Sequence, residues 1–255
     1  MGELRLNPRL LVATARRLER RIEERFGACG LLKVCDELST LASHADEACE
    51  RIRRPDILMR AVSALVIAAI VLLAGGATWI ALDSAASAEA WNWRDIPTVG
   101  EAATNELLLL GAAIWFFVSL EGKRKRARVL RALASLRTLA HLIDVHQLTK
   151  NPEAIDDHAH DTPSSPERRM SAFEVGRYLD YCSEMLSVTG KIAALYGDAF
   201  EEPATLEAVN DLEVLCIDLE RKIWQKIIIL ESRTARQGGS APGATLLGEA
   251  EPEEE

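Results

Sequence analysis

Four of the chain's five histidines and four aspartates fall in one stretch, "AHLIDVHQLTKNPEAIDDHAHD", from Ala140 to Asp161. Imidazole and carboxylate are ligands for zinc and related cations, so the candidate metal set is His141, Asp144, His158 and His160. The spacing argues against a helix-borne pair. Such a pair uses positions four apart, because both rings must reach one ion at about 2 Å. His141 and Asp144 are three apart and share a helix face, whereas His146 is five from His141 and points elsewhere. His158 and His160, with Asp156, Asp157 and Asp161, belong to a polar segment that would have to fold back towards His141.

The favoured expectation is a helix end followed by a solvated loop. Cationic side chains near a helix C-terminus interact well with its last carbonyls, which suits His146 and Lys150, and Asn151 before Pro152 suits a left-handed cap. A metal site is the competing expectation, and a pH-sensitive His/Asp contact the third. Other reaction signatures are missing: there is no glycine-rich phosphate loop, no GxSxG turn and no cysteine beside a histidine in a catalytic pattern. No cofactor is implied.

The elements that would carry this stretch are helical and partly membrane-borne. The hydrophobic share of 48% is ordinary for a soluble chain, but it is segregated. "AVSALVIAAIVLLAGGATWIAL", Ala61 to Leu82, holds no charge over 22 residues. At ~1.5 Å per residue it reaches ~33 Å, enough for a hydrocarbon core of ~30 Å. "LLLLGAAIWFFVSL", Leu107 to Leu120, is shorter at 14 residues, but extends back to Ala102 and runs forward into "KRKRAR".

That basic block, Lys123, Arg124, Lys125, Arg126 and Arg128, is expected at the cytoplasmic membrane surface, matched by Arg51, Arg53, Arg54 and Arg60 before the first span. The connection at 83–101 holds one base, Arg94, against four acids, which places it outside and both termini inside. No cleaved signal is expected, because the first apolar run begins some 60 residues in. Trp79, Trp91, Trp93 and Trp115 are available as interfacial anchors, although the position of Trp115 places it rather in lipid or against the partner helix. All five cysteines fall in the cytoplasmic parts without CxxC spacing and read as free thiols.

Charge by region separates the classes of partner. Residues 123–150 carry +7, whereas 151–236 carry −8 and 237–255 carry −5. The one basic block adjoins the bilayer and suits anionic headgroups rather than nucleic acid, which is not an expected partner.

The fold class expected is all-α: a two-helix transmembrane hairpin with a cytoplasmic bundle of antiparallel helix hairpins. Leu11, Ala15, Leu18, Ile22 and Phe26 recur at helical spacing, and Leu31, Leu38, Ala45 and Ile52 fall seven apart as in a coiled coil. Val175, Leu179, Cys182, Met185, Ile192 and Tyr196 form a third stripe, and Val209, Leu212, Cys216, Leu219, Ile223, Ile227 and Leu230 a fourth. Trp224, Ile228 and Ile229 make the last helix wider than a two-helix seam, which calls for a further surface. The domains expected are a helix pair at 1–56, the hairpin at 57–122, a helical region at 123–236 with a loop at 150–170, and a disordered acidic tail at 237–255.

At "AHLIDVHQLTKNPE", "RYLDYCSEMLSVTGKIAALY" and "RKIWQKIIIL" the chain resembles a bacterial family of two-span membrane proteins with helical cytoplasmic regions. The resemblance covers most of 125–230 and implies a bacterial inner-membrane location but no activity.

The function expected is that of a non-enzymatic, membrane-anchored scaffold or sensor whose cytoplasmic helices bind copies of itself or another protein. The small residues Ala64, Ala68, Gly75, Gly76 and Gly111 to Ala113 would permit close helix approach. A membrane-tethered metal enzyme or sensor using the 141–161 segment is the alternative. An oligomeric channel or transporter subunit is weaker still, because neither apolar run carries an interior charge.

Overall fold

A computed structural model describes residues 6–87, 96–150 and 170–238, and among them every regular element is a helix. In chain order these are α1 (Pro8–Phe26), α2 (Gly30–Arg53), α3 (Ile57–Ser87), α4 (Ile96–Leu148), α5 (Ala172–Ala199) and α6 (Pro203–Gly238).

Local chemistry explains most of the boundaries. At α1, the Asn7 side chain accepts from the Arg9 N–H at 3.0 Å and Pro8 occupies the first turn, where its missing donor costs nothing. Gly27 ends that helix at φ 60°, ψ −148°, a region open essentially to glycine alone. Ser171 and Glu174 form a reciprocal capping box before α5: the Ser171 N–H donates to Glu174 Oε2 at 2.8 Å and the Glu174 N–H to Ser171 Oγ at 3.3 Å. Asp56 caps α3 by accepting from the Met59 N–H at 3.2 Å.

The connection expected at 83–101 is shorter than the charge pattern suggests. The small, helix-favouring residues after Leu82 carry α3 on to Ser87, and α4 starts at Ile96 with Pro97 in its first turn. Trp91, Trp93 and Arg94, like most of the 150–170 loop and nearly all of the acidic tail, lie outside the described residues. α4 is a single helix of 53 residues, about 80 Å at the standard rise.

The chain divides into two compact units. One comprises Met1–Asp46, Leu133–Leu195 and Glu207–Glu255, the other Glu47–Ala132 and Tyr196–Leu206. These borders differ from the expected divisions after 56 and 122: they cut α2, α4, α5 and α6 internally, because units follow packing and these helices are long.

In the first unit α5 is the central element. Tyr178, Leu179, Tyr181, Cys182, Met185, Leu186, Val188, Ile192 and Ala193 are all buried, which is more than one stripe. The single seam expected from the sequence is therefore incomplete, since a helix enclosed on several sides buries several faces. α1 supplies Leu11, Ala15, Leu18 and Ile22, α2 supplies Leu31 and Leu38, α4 supplies Leu136 and Ile143, and α6 supplies Leu212 and Ile223. Each such Leu or Ile contributes ~1.5–3 kcal/mol relative to exposure.

In the second unit the α2–α3 joint is tied to α4 by one carboxylate. Glu121 accepts from the Asp56 N–H at 3.3 Å and pairs with Arg60 at 2.8 Å and Lys125 at 3.1 Å, while Lys125 also donates to the Arg54 carbonyl at 3.0 Å. Beyond these ties the apolar surfaces are bare. Leu65, Leu72, Leu73 and Trp79 on α3, and Leu107, Leu108 and Trp115 on α4, are all exposed. Within Gly30–Ile80, one helical stretch is long and apolar enough to cross a membrane; its most apolar window has a mean hydropathy of 2.6 and no buried residue.

Candidate functional site

The histidine-bearing end of α4 is a packed junction. His146 stands over Gly30, where an added β-carbon would lie 2.5 Å from its Cε1. Its Nδ1 is 3.5 Å from Tyr178 Oη, and the Lys150 ammonium sits 5.0 Å from the centroid of the Tyr178 ring. Phe26 meets the same ring edge-on at 5.6 Å. Burial, and then the nearby Lys150 charge, hold the His146 imidazole below its ordinary pKa. Burial likewise pushes the Tyr178 phenol up.

At the next residue, Lys226 from α6 donates to the Gln147 carbonyl at 2.9 Å. Gln147 Nε2 donates to Asp144 Oδ1 at 2.6 Å, and burial lowers the Lys226 pKa against an opposing pull from the Asp144 charge. A cation does complete the end of α4, as helix-end chemistry requires, but Lys226 from a distant element supplies it beside the local Lys150. Among the described residues none hydrogen-bonds the buried Gln147 Oε1.

Of the four metal candidates, the structure describes only His141 and Asp144. His141 is exposed on α4, Asp144 is engaged with Gln147, and His158 and His160 lie outside the described residues. Among the described residues no three His, Cys, Asp or Glu side chains group as a cation would need. Cys182 lies buried on the central helix, its thiol pushed up to about 12 by burial, so at neutral pH it is a packing residue and not a nucleophile.

A second polar cluster joins α1 to α5. Arg21 grips Glu184 with two bonds of 2.6 and 3.1 Å, and its guanidinium lies 5.0 Å from the Tyr181 ring centroid. Arg25 Nε donates to Tyr181 Oη at 3.3 Å, and Arg177 pairs with Asp180 at 2.8 Å. A cavity of about 640 Å³ opens here, lined by Arg21, Arg25 and Arg177 with Glu24 and Glu174, and two of its three arginines are already paired, Arg21 with Glu184 and Arg177 with Asp180.

No family model, curated protein or solved structure matches the chain.

The basic cluster is less free than its sequence implies. Lys125 is committed to Glu121 and Arg54, and Arg126 to Glu202, which also caps the start of α6 by accepting from the Thr205 N–H at 3.3 Å. Lys123 lies 5.6 Å from the Trp115 ring centroid and 5.4 Å from that of Phe116, while Arg124 reaches Met59 Sδ at 3.3 Å. Lys123, Arg124 and Arg128 remain exposed. Sequence patterns could not single out Gly30, Tyr178 or Lys226, because their partners are 32 to 116 positions away.

Proposed function

We infer that the protein is a membrane-anchored, non-enzymatic scaffold or sensor acting through its cytoplasmic helices. The observation that carries this reading is the bare apolar stretch of α3, with a mean hydropathy of 2.6, in a chain whose other unit has an ordinary packed core. Two spans, at 61–82 and 102–120, are proposed, with both termini on the cytoplasmic side of a bacterial inner membrane. The exposed Leu107, Leu108, Trp115 and Val118 on α4, followed by Lys123 and Arg124, support the second span and its direction.

The scaffold part of the proposal rests on what is packed and what is not. Polar groups at the α4 end and around Tyr181 are engaged with one another and offer no pair of acid and base for chemistry. Among the described residues nothing lies within 4 Å of where a β-carbon would go on Gly75, Gly76 or Gly111, which supports a role for these small positions in close approach of another surface.

The test is cysteine-scanning topology on native membranes, followed by in-membrane cross-linking and mass spectrometry. Single cysteines at 90 labelled only from outside, with positions 20 and 210 labelled only after the membrane is opened, are expected. Extraction by alkaline carbonate, or labelling of position 210 from outside, would overturn the membrane reading. Strictly monomeric protein with no retained partner would overturn the scaffold reading.

A further inference from the structure

The His146 ring is a wedge between helices. It belongs to the last turn of α4, lies against Gly30 at the first residue of α2, and has its Nδ1 3.5 Å from Tyr178 Oη on α5. Leu31 next to Gly30 and Leu179 next to Tyr178 are fully buried, so the wedge touches a packed core. A neutral imidazole can accept the Tyr178 hydroxyl proton at Nδ1, whereas an imidazolium can only donate. The bond therefore depends on which form the ring takes.

The surroundings favour the neutral form. On α4, Lys150 adds a positive charge beside the ring, and Asp144 is turned to Gln147 Nε2 and the Lys226 charge. From α2 the ring meets the positive end of a helix whose first turn holds no acid. From α5 and the α1–α2 turn come the Tyr178 phenol and the Cys182 and Cys29 thiols. The carbonyl end of α4 would attract a cation, but Lys226 of α6 already donates to the Gln147 carbonyl there. Among the described residues no carboxylate pairs with His146. A proton on this ring is opposed from several sides.

We propose that His146 is a proton-operated latch: the neutral ring holds the end of α4 against the start of α2 and Tyr178, and its protonation on mild acidification opens that junction while the rest of the core stays folded. Opening carries the imidazolium into water, away from Lys150 and the α2 terminus. Deeper in the unit, Leu38, Leu136, Met185 and Leu186 make buried apolar contacts that do not respond to pH, which confines the opening to this end. The latch goes beyond the scaffold-or-sensor reading by assigning it an input, hydrogen ions, and it stands on the packed unit alone.

The experiment is hydrogen exchange read by mass spectrometry on the full chain in nanodiscs of zwitterionic phosphatidylcholine, with protection taken relative to the intrinsic rate at each pH. From about pH 7.5 to about pH 5.5, protection at 143–148 and 34–37 is expected to fall between about two- and tenfold, and at 212–223 to hold. About tenfold is the ceiling, set by an open histidine titrating near its ordinary value against a closed one that takes up no proton. His146→Gln, neutral throughout, is expected to abolish the fall. Lys150→Gln keeps the ring and removes a charge that opposes protonation in the closed junction, so it is expected to shrink the fall, and it serves if the histidine variant does not fold. No fall, a fall shared equally with 212–223, an equal fall in His146→Gln, or an undiminished one in Lys150→Gln would each overturn the latch. Membrane topology, read separately by cysteine labelling, is untouched by any of these outcomes.

Discussion

Gly30, the first residue of α2, lies against the imidazole of His146 near the end of α4, so close that a β-carbon would stand 2.5 Å from Cε1. Tyr178 Oη lies 3.5 Å from Nδ1 of the same ring, which limits how far the ring can move. Gly30→Ala is expected to destabilise the protein by about 1–3 kcal/mol, the usual cost of overpacking. His146→Ala should recover most of that loss in the double variant. Chemical denaturation of the four combinations measures this, and additive losses would show that the contact is not the cause.

His146 also predicts a pH dependence. Its folded pKa lies below 6.5, so the unfolded chain takes up a proton at higher pH than the folded chain does. Its contribution to stability is complete above the unfolded value and is lost as pH falls through the folded one. The melting temperature should therefore fall from about pH 7.5 to about pH 5.5, and His146→Gln should flatten that slope. An identical slope in the variant would assign the effect to other groups.

Lys226 satisfies the Gln147 carbonyl at 2.9 Å and faces the Asp144 charge. Lys226→Met keeps the aliphatic stem but removes the bond, and is expected to cost about 1–2 kcal/mol. Hydrogen exchange read by mass spectrometry should show faster exchange confined first to the last turn of α4. Uniform acceleration across the unit would instead indicate a loss of core packing.

The thiols should react in a fixed order. Cys35, Cys182 and Cys216 are buried and pushed up to about 12 chiefly by burial, and Cys49 is also buried, whereas Cys29 is half-buried. A water-soluble maleimide at neutral pH is expected to add once to the folded protein, at Cys29, and five times after denaturation. Peptide mapping that finds Cys182 modified first would contradict the packing around α5.

The Arg21–Glu184 pair joins α1 to α5 with side chains 37% and 42% exposed. Solvent screening limits it to about 0.2–1 kcal/mol in a double-mutant cycle. Arg21→Lys is expected to lose much of that despite keeping the charge, because lysine cannot reproduce the two-bond fork or stack on Tyr181. A coupling unchanged in the lysine variant would show that charge alone matters there.

Local pattern alone determined the helical class, the positions of the helices and the apolar run of α3. Leu11, Ala15, Leu18 and Ile22 are spaced for one helix face and are buried together, and Gly27 and Pro55 stand where helices end or begin. Such signals are legible because a helix repeats every 3.6 residues and its ends have their own chemistry. The tertiary structure alone decided that α5 is enclosed on several sides, that Lys226 rather than a neighbouring histidine bonds the Gln147 carbonyl, that Glu121 gathers Arg60 and Lys125, and that Trp224 and Ile228 stay uncovered. The physical reason is range. Periodicity shows which residues share a face, but the partner of a face is chosen by packing between segments far apart in the chain, where no local repeat carries the information.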